Sequence, residues 1–137
     1  MIFLKGYAAD MDFNFEKALE HYQKAIELNP KFAESYYCIG VVYLHTSKFD
    51  EAIKYCQKAI ELNYNSAGAY FWIGAAYSYK GKYEEAIKYS QKAIELNPND
   101  VTALSNMWNA YKKLGNQAKA DEIFQKRDML MKKGIYY

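Results

Sequence analysis

The sequence predicts an all-α solenoid of antiparallel helix pairs, and three observations predict it. The heptapeptide QKAIELN occurs three times, at 23–29, 57–63 and 91–97, with a spacing of 34 residues each time. A fixed period of that length marks stacked supersecondary units. Within each period, apolar residues fall at helical spacing on two segments split by a short break. The breaks hold residues that end helices: Asn29-Pro30, Asn97-Pro98, Gly81 and Gly115. Proline lacks an N–H and suits a first helical turn, and glycine tolerates the left-handed conformation that closes a helix.

The units follow in order. The first, 1–32, is truncated and begins with a short first helix; Gly6, Phe15, Ala18, Tyr22, Ala25 and Pro30 keep its register. The second, 33–66, is complete. Tyr36, Ile39, Gly40 and Tyr43 line one helix; Phe49, Ala52, Ile53, Cys56, Ala59, Ile60 and Leu62 line the next. Ser47 is placed to cap that next helix, with Asp50 in its first turn. The third unit, 67–100, repeats the pattern with Tyr70, Ile73, Gly74 and Tyr77, then Tyr83, Ala86, Ala93 and Leu96. Tyr64 stands at the middle junction where the others have Pro, and the polar Asn63, Asn65 and Ser66 predict a break there nonetheless. The last unit, 101–137, has Trp108 in place of Gly and Arg127 in place of Ala, and its second helix is expected to run on through Met131. Gly40 and Gly74 with Ala52, Ala59, Ala86 and Ala93 predict close helix crossings, with the neighbouring tyrosines filling the grooves.

Composition narrows the function. About half of the 137 residues are apolar and a quarter are charged, so the chain folds. The net charge of +2 is spread among interleaved acids and bases, which argues against nucleic acid as a partner. Cys38 and Cys56 lack metal-ligand spacing and read as free thiols of a reducing compartment. No apolar run approaches the ~20 residues of a membrane span, and Met1 to Leu4 is too brief for a secretory signal, so the expected location is cytoplasmic. His21 and His45 recur in no motif, and no Gly-rich phosphate loop, HExxH or GxSxG is present. The reading is therefore a non-enzyme with no catalytic residue, cofactor or metal.

These spacings resemble those of the tetratricopeptide repeat (TPR) family. The resemblance rests on Ile39-Gly40 and Ile73-Gly74, on Tyr43 and Tyr77, on Ala52, Ala86, Ala59 and Ala93, and on Pro98, and it covers nearly the whole chain. It implies a right-handed superhelical solenoid of about three and a half to four repeats, forming one domain over 1–137. It further implies a protein–protein interaction scaffold in which the first helices of successive units line an inner groove.

At a step of 34 the groove stripes are Phe3, Tyr37, Phe71, Ser105; then Tyr7, Val41, Ala75, Asn109; then Met11, His45, Tyr79, Lys113. The candidate partner-binding residues are Phe3, Tyr7, Tyr37, Val41, His45, Phe71, Trp72, Ala75, Tyr79, Asn106 and Asn109. Aromatic and aliphatic groups dominate them, as expected of a surface that takes an apolar peptide segment or a partner helix. TPR domains that dock chaperone tails use a clamp of Lys, Arg and Asn; here only Asn106 and Asn109 suit one, so that specificity does not carry over. An alternative is a self-assembling solenoid, in which Ile2, Phe3 and Leu4 at one end and Ile123, Phe124, Met129 and Leu130 at the other are left uncovered and stack chain on chain. RNA binding is a further alternative, weakened by the scarcity of basic groups among the groove positions.

Overall fold

A helix pair can cross closely only where no side chain separates the two backbones, and Gly40 and Gly74 mark two such places. A Cβ at Gly40 would stand 2.5 Å from Cys56 Sγ and 3.2 Å from the Ala52 carbonyl. At Gly74 it would stand 2.8 Å from Ser90 Oγ and 3.2 Å from the Ala86 carbonyl. The structure, a computed structural model, describes residues 14–134. Among these it contains seven α-helices and no strand: α1 (Phe15–Leu28), α2 (Ala33–His45), α3 (Phe49–Glu61), α4 (Ala67–Tyr79), α5 (Tyr83–Leu96), α6 (Val101–Lys113) and α7 (Gln117–Lys132). Consecutive helices pack in pairs.

The chain divides into two compact units, Met1–Asn65 and Ser66–Tyr137. In the first, α2 packs on both α1 and α3. Its core joins Ala18, Tyr22, Ile39 and Val42, with Phe15, Leu19, Ile26, Tyr43 and Tyr55 packed around them. In the second, α5 packs on α4 and α6, and α6 on α7. Ala93, Ile94, Ala103, Leu104, Met107 and Ile123 form its core, flanked by Tyr70, Phe71 and Trp108.

Breaks occur where expected, with two corrections of mechanism. Pro30 and Pro98 do not open the next helix. Each is the second residue of a four-residue turn, closed by Phe32 N–H to Asn29 O and by Asp100 N–H to Asn97 O, both 3.1 Å. The following helices begin only at Ala33 and Val101. Ser47 does not cap α3 either; the capping position is Lys48, which makes no side-chain cap bond. Ser47 instead finishes α2 in the left-handed region, φ 62°, in the slot that Gly81 (φ 78°) and Gly115 (φ 79°) occupy. The Lys48 N–H then reaches back to Tyr43 O at 2.8 Å, as Lys82 does to Tyr77 and Asn116 to Tyr111. The junction after α3 closes in the same way, with Asn63 at φ 71° and Tyr64 N–H on Ala59 O at 2.9 Å. Ser66 then caps α4, its Oγ accepting from Gly68 N–H at 3.1 Å.

The last helix runs to Lys132, past Met131. Of the apolar residues expected to lie uncovered there, Phe124 and Met129 are exposed, but Ile123 is buried and Leu130 is half-buried, because α7 turns that side onto α6. Ile2, Phe3 and Leu4 lie outside the described residues.

Neither Cys38 nor Cys56 forms a disulfide; Cys38 is half-buried and Cys56 buried. Burial, and secondarily the nearby Cys38, pushes the Cys56 thiol up to about 12.

Four outcomes follow from this packing. Gly74→Leu overpacks the α4–α5 crossing and costs about 1–3 kcal/mol, read as a lowered denaturation midpoint. Ser47→Gly relieves a left-handed non-glycine residue and raises stability by up to ~1 kcal/mol in the same assay. An alkylating reagent at pH 8 modifies Cys38 in the folded protein and spares Cys56. Because folding raises the Cys56 pKa from 9.0 to about 12, its contribution to stability is complete below pH 9.0 and is lost as pH rises through that interval. Cys56→Ala removes this part of the pH slope; equal alkylation of both thiols in the folded state would contradict the placement.

Candidate binding site

Helix α4 is apolar almost throughout, AGAYFWIGAAYSY, so it cannot leave one face polar and bury the other. Helix α6 differs: Ala103, Leu104, Met107 and Ala110 are buried, while Thr102, Ser105, Asn106 and Asn109 fall on another side. Between the two helices, within the second unit, lies a concavity of about 370 Å³. Phe71, Ala75, Ser78 and Tyr79 of α4 form one wall; Thr102, Ser105, Asn106 and Asn109 of α6 form the other. One wall is mainly aromatic, the other carries amides and hydroxyls, and no charged residue lines either.

Hydrogen bonds fix the polar wall. Asn106 Nδ2 donates to the buried Ser90 Oγ at 2.9 Å, which orients the amide and leaves its carbonyl oxygen for another partner. Ser105 Oγ donates to Val101 O at 2.9 Å and accepts from Arg127 Nη1 at 3.0 Å. On the aromatic wall, Tyr79 is 70% exposed. Phe71 is half-buried, packs against the core of the unit, and meets the Trp72 ring edge-on at 5.0 Å.

Five sequence-predicted residues thus meet in one concavity: Phe71, Ala75, Tyr79, Asn106 and Asn109. Trp72 supports Phe71 and does not line it. Tyr37, Val41 and His45 lie on α2 in the first unit. There Tyr37 packs on the Tyr64 ring at 5.0 Å. His45 is bonded through Nδ1 to Val41 O at 2.8 Å and stacks on Phe15 at 5.9 Å. Phe3 and Tyr7 lie outside the described residues. Sequence reasoning did not name Ser78 and Thr102; both lie one helical turn from residues on the stripes, Ser78 from Ala75 and Thr102 from Ser105, and that spacing is the signal that finds them.

Among the described residues, no cluster of three or more His, Cys, Asp or Glu side chains could hold a metal ion. No described helix is long and apolar enough to cross a membrane.

Comparison with known proteins agrees with this architecture. None of the curated proteins matches the sequence. A crystal structure of MamA is 27% identical over 99% of this chain and 80% of its own, with a TM-score of 0.92. The TPR domain of Arabidopsis OM64 is 29% identical over 81% of this chain and 92% of its own, with a TM-score of 0.78. MamA from Desulfovibrio magneticus RS-1, 22% identical over 96% of this chain and 75% of its own, shares the fold at a TM-score of 0.90. The sequence itself matches the TPR repeat over residues 14–47 and the tetratricopeptide repeat over 33–63 and 67–100. Together these matches span more than half of the chain, which belongs to the tetratricopeptide repeat family.

Proposed function

We propose that this protein is a non-catalytic interaction scaffold whose second unit holds an apolar, extended peptide segment in the concavity between α4 and α6. The observation that carries the reading is the pairing of an aromatic wall, Phe71 and Tyr79, with an amide wall, Asn106 and Asn109. An extended segment brings backbone N–H and C=O groups that lack internal partners, and side-chain amides satisfy both. Apolar side chains of the segment then bury against the aromatic wall. A partner helix has its backbone already satisfied and makes less use of the amides. In this reading Tyr37, Val41 and His45 offer further partner contacts on the first unit, as do Phe3 and Tyr7, and Trp72 stiffens Phe71. Two cysteines outside any disulfide support a reducing, cytoplasmic setting.

A second reading, self-association, is favoured by Phe124, Met129 and Met131, which leave apolar surface exposed on α7. Sedimentation across a wide concentration range decides it, and a strictly monomeric protein removes it.

The peptide reading is tested by selecting binders from a random peptide library and titrating them calorimetrically. Tyr79→Ala weakens binding by at least ~2 kcal/mol, with the melting temperature unchanged, because that ring is exposed. Phe71→Ala weakens binding and also costs about 2–4 kcal/mol of stability, since the ring packs on the core. Added salt weakens binding only mildly. Equal affinity of wild type and Tyr79→Ala takes the concavity out of the account.

A further inference from the structure

Arg127 occupies the position that Ala59 and Ala93 hold in the earlier repeats, where both are fully buried. Its side chain runs between α6 and α7. The guanidinium carbon lies 5.3 Å from the Trp108 ring centre and 5.2 Å from that of Phe124. Nη1 donates to Ser105 Oγ, whereas Nε is sealed from solvent and has no hydrogen-bond partner. Lys112 brings a second cation to the same indole, with Nζ 4.5 Å from its centre.

Neither cation has a carboxylate partner among the described residues. The acids of α7 are engaged elsewhere: Asp121 with Gln117, Glu122 with Lys119, and Asp128 with Lys132. A partly desolvated guanidinium with one N–H unmet is costly, and aromatic faces repay only part of that. Ser105, which Arg127 holds, lines the peptide concavity. Its hydroxyl hydrogen is committed to Val101 O, so it presents no donor of its own. The positive charge therefore stands behind Ser105 in a site lined by no charged residue.

We propose that the segment held between α4 and α6 carries an acidic side chain beside Ser105, read by Arg127 with Lys112. This rests on the peptide reading of the same concavity. Arg127 supplies its remaining Nη hydrogens to the carboxylate, and Lys112 adds a flexible second charge from the last turn of α6. The arrangement differs from a clamp on the groove-facing side of the first helices, because the principal cation comes from the second helix of its pair.

The test uses the full chain and fluorescein-labelled hexapeptide pools. Five positions vary over Leu, Ile, Val, Phe and Ala; one is fixed as Glu, Gln, Lys or phosphoserine. Anisotropy titrations with wild type are expected to show the Glu pool binding about 10-fold more tightly than the Gln pool, or ~1.4 kcal/mol. Arg127→Met, which keeps the apolar stem, abolishes that preference. Lys112→Gln, on an exposed turn, reduces it several-fold and serves as the check if the first variant loses helicity. Equal binding of Glu and Gln pools by wild type overturns the proposal while leaving the peptide reading intact. A preference that survives Arg127→Met, or a phosphoserine pool bound tenfold better than the Glu pool, overturns it as well. Binding of no pool removes the peptide reading along with it.

Discussion

The bare backbone at Gly40 and Gly74 is the constraint on which the two regular helix pairs depend. With no Cβ there, α2 sits against Ala52 and Cys56 of α3, and α4 against Ala86 and Ser90 of α5. The small partners are as necessary as the glycines, because either helix alone could block the approach. Once the axes are that close, the tyrosines beside the crossing fall into one arrangement. Tyr36 and Tyr43 flank Tyr55 at 6.4 and 5.5 Å, and Tyr70 and Tyr77 flank Tyr89 at 6.5 and 5.6 Å. Lys54 and Lys88 then lie over the central rings at 5.9 and 5.6 Å. Two pairs built from the same positions reach the same geometry, the behaviour expected when one short-range steric condition sets the rest.

The third pair abandons that condition. Trp108 replaces the glycine and Phe124 replaces the small residue opposite, their rings 5.9 Å apart. Bulk on both sides leaves space between the helices beside the rings, and the long stem of Arg127 fills it where an alanine would leave a void. The charge is therefore a consequence of the packing change and not an isolated surface feature. The Arg127 guanidinium lies against both rings and reaches Ser105 of α6.

The helices were legible because period, apolar spacing and helix-ending residues agreed. Errors arose where a residue's local preference was outranked by its place in the repeat. Serine is a good helix cap, so Ser47 read as one, yet its register with Gly81 and Gly115 put it in the left-handed slot at the end of α2. The candidate site was legible on one wall only. Thr102, Ser105, Asn106 and Asn109 are separable from the buried side of α6 by pattern. On α4 no such separation exists: Ala75 is buried and Phe71 half-buried although both line the concavity. Arg127 was visible as a departure from Ala59 and Ala93, but a contact reaching back to Ser105 across two helices cannot be read from a period.

Comparison of equivalent positions separates packing from recognition. Tyr43, Tyr77 and Tyr111 repeat without change, as do Ala52, Ala86 and Ala120, and Gln57, Gln91 and Gln125. In the two regular pairs the tyrosines and alanines meet equivalent neighbours, Tyr43 on Tyr55 as Tyr77 on Tyr89, and Ala52 by Gly40 as Ala86 by Gly74. Four other sets change at each step: Tyr37, Phe71, Ser105; Cys38, Trp72, Asn106; Val41, Ala75, Asn109; His45, Tyr79, Lys113. No shared packing demand explains an aromatic and a hydroxyl, an aromatic and an amide, an aliphatic and an amide, or an aromatic and an ammonium within one set. The residues of these sets on α4 and α6 supply six of the eight residues that line the concavity. The direction of change also has a physical meaning. From α4 to α6 the sets pass from aromatic and aliphatic to hydroxyl, amide and ammonium, and Arg127 adds charge behind the polar wall. On the proposed reading, a ligand that fits both walls is apolar along one edge and polar or acidic along the other, so the places where the repeat is broken would set its orientation as well as its binding.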